Sequence, residues 1–350
     1  MTQENGDEMR EFRGFYKGVN LGGWLSQCGN HYTEEHYNSF VKKEDIARIA
    51  SWGTDHVRLP IDYNLIQEDD GTLIESGFKH IDDCLAWCKE YGLNTVLDLH
   101  KACGFVFDDE SYCSFFADQK LQAQFIELWK EMARRYGNKE NIAFELLNEV
   151  TMPEMAEPWN EIIRKTMPEI RKIADKTKVI VGGIYNSSIT GLSLMEAPYD
   201  ENMVFTYHCY SPFIFTHQDA EWIAKMPKGF STTFPKTAKE TMEESRSVYG
   251  SDFDNEFENL GDALLDKEYF RHLFESAIAI AEKFDVPLYC GEYGVIDLAD
   301  CESTLKWFES MHEALEECKI GRAVWSYKKM NFGLTDKHYD SIRERIVTLL

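Results

Sequence analysis

Two short runs of strand-like composition each carry a glutamate near their downstream end: IAFELLNEV places Asn148 and Glu149, and PLYCGEYGV carries Glu292. Two carboxyl groups delivered by separate strands to one cleft are the minimum equipment for cleaving a glycosidic bond. One serves as the protonated acid for the leaving oxygen, the other as an ionised nucleophile or base. Polar and aromatic side chains also close other runs of the same kind: Arg58 in HVRLP, His100 in NTVLDLH, His208 and Tyr210 in MVFTYHCY, and Trp325 in GRAVWSY. Each alone has a plain structural reading. Arg58 could pair with Asp62 or Asp98, the histidines could be satisfied in a core, and Tyr210 and Trp325 could be packing at a rim. Taken together, with two glutamates among them, they point to catalysis.

The elements that must position these groups alternate in type. Strand-like runs occur at 16–22, 56–60, 94–100, 142–148, 178–183, 203–210, 287–294 and 321–327, with amphipathic helical patterns such as FKHIDDCLAWCKEYG and LQAQFIELWKEMARRYG between them. Several helical patterns end in Gly, the residue most at ease in a left-handed C-cap. Eight such strands over 350 residues predict an α/β fold, a (β/α)8 TIM barrel forming a single catalytic domain over 1–350. Barrel sites lie at the C-terminal ends of the strands, where the polar residues above fall. The spacing breaks once, with about 76 residues between the sixth and seventh strands, so 211–265 reads as an insertion subdomain in the sixth βα connection, leaning over the cleft.

Composition narrows the partners. A formal net charge of −24 argues against nucleic acid or an anionic membrane as partner, since both require a basic face, and it suits a neutral substrate. No apolar run is long enough for a membrane span. The start, MTQENGDEMREF, lacks a basic region and an apolar stretch, so the chain as it stands reads as cytoplasmic, or as secreted if a leader has been removed. Nine cysteines without framework spacing read as reduced, packed thiols. Cys84 and Cys88 lie one helical turn apart but have no second pair or histidine cluster to complete a zinc site, so no metal and no cofactor are expected. Oligomeric state is not readable.

HVRLP, LDLH, LLNEV, YHCY, GEYGV and AVWSY occur in this order, and together they resemble glycoside hydrolase family 5, the cellulase family of clan A, across about residues 14–350. NLGGWLSQ and WSYKKMNFGL are similar to clostridial-type endoglucanases of that family. The resemblance implies a retaining mechanism with Glu149 as acid/base and Glu292 as nucleophile, about 5–5.5 Å apart. It implies that Arg58 and the Tyr210 hydroxyl keep Glu292 ionised, so that Glu149 stays the protonated partner with His208 beside it. Asn148 would bind the sugar 2-hydroxyl, His100 another hydroxyl, and Trp325 would form the stacking floor. The substrate implied is a β-1,4-glucan of the cellulose or mixed-linkage type, cut internally. Mannan, glucomannan, β-1,3-glucan and short oligosaccharides are the alternatives within the class.

One departure concerns the third strand: many family members carry a second histidine after the first, whereas this chain has Lys101 there. Lys101 would change the contacts next to the cleavage point. Glu145 reads as a structural salt link, and Glu154 and Glu157 as weaker cleft candidates. Trp24, Tyr63, Phe105, Phe107, Trp159, Tyr185, Phe213 and Trp222 are candidates to stack on further sugars, with Asn20 and Asn186 as polar contacts. A carbohydrate-binding barrel without catalysis would lack one of the two glutamates. A lyase or aldolase would need a Schiff-base lysine, for which only Lys101 and Lys328 are near.

Overall fold

The computed structural model describes residues 9–107, 109 and 111–350; the first eight residues, most of the MTQENGDEMREF start, lie outside the described residues. Eight parallel strands close into one barrel in sequence order: β1 Lys17–Asn20, β2 His56–Asp62, β3 Asn94–Lys101, β4 Ile142–Glu145, β5 Lys178–Gly182, β6 Met203–Cys209, β7 Leu288–Tyr293 and β8 Gly321–Val324. β1 pairs with both β2 and β8, which leaves no free sheet edge. Each expected strand is present. β4 is shorter than its apolar run, ending at Glu145, so Asn148 and Glu149 stand on the loop above it. Asn148 stays tied to the neighbouring strand by its N–H on the Leu99 carbonyl, 3.1 Å.

Helices Lys43–Ser51, Glu75–Glu90, Gln119–Tyr136, Ala156–Arg171, Lys267–Phe284 and Cys301–Glu317 surround the barrel. Gly53 and Gly92, just beyond two of them, adopt φ of +79° and +75°, as the C-cap reading requires. Gly137 does not: it caps Gln119–Tyr136 with φ −64°. Asp285 takes the left-handed position after Lys267–Phe284 instead. The β5–β6 connection holds only short turns, Ile184–Ser187 and Thr190–Leu194, while the 211–265 stretch contains Phe213–Thr216, Ala238–Tyr249 and Asp254–Phe257.

The bottom of the barrel is filled by an apolar layer of Val96, Ala143, Ile180, Val204 and Ala323 with Tyr289, onto which Phe12 and Phe15 pack. Those two rings stack at 4.3 Å between centroids and close that end. Each buried phenylalanine contributes about 1.5–3 kcal/mol through removal of apolar surface from water. Within that lower end the His56 ring is satisfied by Asp55 and the Tyr289 hydroxyl, so the charged cluster built around Arg58 lies above this layer. All nine cysteines are free thiols, and the Cys84 and Cys88 sulfurs lie 4.0 Å apart without a bond. Among the described residues, no helix is long and apolar enough to cross a membrane.

Candidate active site

Strand register builds the floor of the site. Asn20 pairs with Arg58 across β1 and β2, and Asp98 pairs with Glu145 across β3 and β4. All four are buried. A guanidinium in such a place is stable only if every N–H finds an acceptor. Arg58 Nε and Nη2 donate to the two oxygens of Glu145 (2.7 and 2.9 Å), Nη2 also meets Asn148 Oδ1 and Asp98 Oδ2 (both 3.0 Å), and Nη1 donates to Asn20 Oδ1 (3.0 Å) and Glu292 Oε1 (2.8 Å). The expected acidic partner is therefore Asp98 rather than Asp62, whose carboxylate accepts instead from Ser26, Gln27 and Tyr32. Asn20 lies beneath the site: its amide N–H groups are taken by the Gly291 and Ala323 carbonyls, so it supports Arg58 and has no amide donor left for a ligand.

Glu292, at the end of β7, receives Arg58 on one oxygen and the Tyr210 hydroxyl on the other, 2.8 Å each. Burial pushes its carboxyl above the ordinary range, against the pull of His208, Arg58 and the Tyr210 hydrogen bond. The expectation that Arg58 and Tyr210 prevail is thus met only in part, because desolvation is the largest influence. Burial among carboxylates drives the Tyr210 phenol well above its usual value, so it remains a donor. Gly291 is required next to Glu292, since a Cβ there would sit 2.9 Å from Thr206 Oγ1 and 3.1 Å from His208 Nε2.

Opposite, Glu149 accepts or shares a proton with His208 Nδ1 at 2.7 Å. Burial holds His208 below its usual value, so the ring is neutral. A carboxylate oxygen of Glu149, one of Glu292 and a ring nitrogen of His208 lie within 4.8 Å of one another. Such a triad could ligate a divalent ion, but both Glu292 oxygens already accept from Arg58 and Tyr210, and a metal would have to compete with them. So close an approach of the Glu149 and Glu292 oxygens is compatible with two carboxylates sharing one sugar, the arrangement of a retaining site. Arg58 fixes the Asn148 carbonyl, and the Asn148 Nδ2 is left buried without a protein partner.

His100 hydrogen-bonds Asp98 through Nδ1 at 2.6 Å, and its ring lies parallel to Trp325, 5.8 Å apart with 4° between planes. Burial and the Arg58 charge keep it well below its usual value, hence neutral. Lys101 places its ammonium 5.7 Å from the centre of Phe107, whose edge meets His100.

Of the further aromatic candidates, Trp24, Phe105 and Trp159 are core: the Trp24 indole donates to Tyr37 O and that of Trp159 to Gly182 O. Trp159 lies within the helix Ala156–Arg171 rather than on a loop, Trp24 stacks on Trp87 of the helix Glu75–Glu90, and Phe105 packs on Phe116. Tyr185 and Trp222 are exposed, at 51% and 55%. Asn186, Glu154 and Glu157 are exposed as well, Glu157 paired with Arg164. Phe213 stacks on His217 at 4.1 Å, and His217 meets the edge of Tyr210 at 5.0 Å. His217 was not foreseen, and nothing in SPFIFTH marks it. Asp98 as the partner of His100 was readable, since positions i and i+2 of a strand share a face.

The sequence profile of the family described as Cellulase (glycosyl hydrolase family 5) matches residues 16–331. Cellodextrinase A of Ruminococcus flavefaciens is 43% identical over 322 residues, covering 90% of this chain and 88% of that one. Endoglucanase C of Acetivibrio thermocellus is 39% identical over 340 residues, covering 96% and 98%. Thermotoga maritima Cel5A, solved in complex with mannotriose, superposes with a TM-score of 0.74 at 25% identity, covering 96% and 97%. The profile match runs through every strand of the barrel and every side chain of this site, and the chain belongs to the cellulase family, glycosyl hydrolase family 5.

Proposed function

We propose that the protein is a retaining endo-β-1,4-glucanase that acts on cellulose-type or mixed-linkage β-glucan. The observation that carries this reading is the approach of a carboxylate oxygen of Glu149, on the loop after β4, to one of Glu292, near the end of β7, within 4.8 Å. In this reading Glu292 attacks the anomeric carbon while Glu149 protonates the departing glycosidic oxygen. The covalent glycosyl-enzyme is then hydrolysed by a water that Glu149 deprotonates. His208, neutral and bonded to Glu149, holds the acid in place. Asn148 Nδ2 donates to the sugar 2-hydroxyl, a contact that strengthens as positive charge develops on the ring. His100 takes a second hydroxyl, Trp325 stacks under the sugar, and Lys101 presents a cation beside them.

The finer parts of the proposal rest on smaller observations. The charge of −24 supports a neutral polysaccharide rather than nucleic acid or anionic lipid as partner. Free thiols throughout support a cytoplasmic setting. The 211–265 stretch would act as a subdomain over the cleft, with Trp222 as its exposed ring. Two relatives supply the runner-up substrates: short cello-oligosaccharides, from the name of the Ruminococcus enzyme, and mannan, from the mannotriose bound to the Thermotoga one.

The test is a product profile on carboxymethylcellulose, barley β-glucan, laminarin, glucomannan and cellohexaose, with Glu292→Ala as control. Random shortening of the cellulosic chains, absent in the variant, is expected. Activity confined to mannan, laminarin or chain ends would overturn the substrate.

A further inference from the structure

Arg58 is in contact with three buried carboxylates, Asp98, Glu145 and Glu292. Six acceptors within 3.0 Å compete for its five N–H groups, so something must decide which edge of the guanidinium faces Glu292. Glu145 alone among them meets it as a fork, Nε to Oε2 at 2.7 Å and Nη2 to Oε1 at 2.9 Å. A guanidinium is planar and rigid, so two parallel bonds on one edge fix the direction of the remaining nitrogen. That nitrogen is Nη1, the one that donates to Glu292 Oε1. The same fork also sets the Nη2 hydrogen that holds the Asn148 carbonyl. Without it, the flexible stem of Arg58 could pivot toward Asp98, and both contacts would be lost together.

We propose that Glu145 is a positioning residue that works through Arg58, aligning one guanidinium to hold Glu292 for attack and Asn148 for the sugar. The proposal rests on the reading of Glu292 as nucleophile. It turns the buried salt link at the end of β4 into part of the catalytic apparatus, although Glu145 touches no substrate.

Glu145→Gln keeps the shape but sets an NH2 against an Arg58 N–H, which breaks one arm of the fork. On dinitrophenyl β-cellobioside the expected result is a fall of about 10²-fold in kcat with KM little changed, the scale of a misplacement of about 1 Å. The acidic limb of the pH profile should move to higher pH, because Glu292 loses its cation. Glu145→Asp keeps the charge but withdraws it by one methylene, and it should be slowed in the same direction. In an Arg58→Lys background, Glu145→Gln should add nothing further. If Glu145 serves only to balance charge, the opposite is expected: Glu145→Gln leaves Arg58 in place with less compensation, the acidic limb moves to lower pH, and Glu145→Asp matches the wild type. That pattern overturns the proposal, as does loss of folding in both variants, which would assign Glu145 to stability. Glu292→Ala is run beside them with azide. Absence of azide rescue there refutes the nucleophile reading itself, independently of the Glu145 series.

Discussion

Asp98→Asn should change the pH dependence of stability in a direction that the structure fixes. Asp98 is fully buried, with Oδ2 shared between His100 Nδ1 and Arg58 Nη2 and with Oδ1 unpartnered. Burial raises its carboxyl from 3.8 to about 7, partly offset by Arg58. A group whose folded value is raised binds its proton more tightly folded than unfolded. Its contribution to stability is fully present below pH 3.8 and is lost as the pH rises through about 7. At about 1.36 kcal/mol per pH unit, that gap corresponds to about 4 kcal/mol. The asparagine keeps an oxygen for Arg58 and His100 and does not titrate, while Glu145 and Glu292 titrate in both proteins. The stability of the wild type relative to Asp98→Asn should therefore fall by about 4 kcal/mol between pH 4 and pH 8. Urea unfolding followed by tryptophan fluorescence across that range measures it. A difference that stays flat, or that grows in favour of the wild type as pH rises, would refute the account of Asp98 as a carboxyl destabilised by burial.

Three further outcomes follow from the geometry. Asn148→Ala removes the unpartnered amide but leaves five acceptors for the five N–H groups of Arg58, so thermal stability should change little while kcat falls about 10²–10³-fold, the scale of losing one transition-state donor. Equal activity toward 2-deoxy and parent substrates in the variant, but not in the wild type, would identify the hydroxyl concerned. Gly22→Ala would bring a Cβ to 2.8 Å from the Trp325 ring, so the stacking floor must shift; KM should rise on the order of 10-fold with the fold intact, read by steady-state kinetics on cellopentaose. Glu149→Ala should lose turnover on natural glucans yet keep measurable activity on dinitrophenyl cellobioside, whose leaving group needs no proton; equal loss on both would refute its role as acid.

How much of this was legible beforehand differs by kind of residue. Apolar runs of the right length, separated by helical patterns, contain the barrel: each of the eight strands lies where its run predicts, because parallel strands buried on both faces must be apolar throughout. Polar residues that interrupt such runs are costly in a core, which is why Arg58, His100, Glu149, His208 and Glu292 stood out. The helix ends were less legible. Gly137 failed to take the left-handed cap and Asp285 took it, because capping geometry depends on the path of the following chain as well as on side-chain type.

The sequence by itself determined the fold, through periodicity, and the family, through motifs in a fixed order, and it singled out the candidate reactive groups by residue types that are costly at strand ends. Only the tertiary structure decided how the groups are wired. Arg58 chose Asp98 over Asp62, Asn20 went under the floor, Trp24 and Trp159 went into the core, and Glu145 took the rigid edge of the guanidinium. Each of these depends on register between strands distant in sequence or on how a helix or loop packs against the barrel. Periodicity records the face on which a residue lies, and carries no information about which residue of another strand will meet it there.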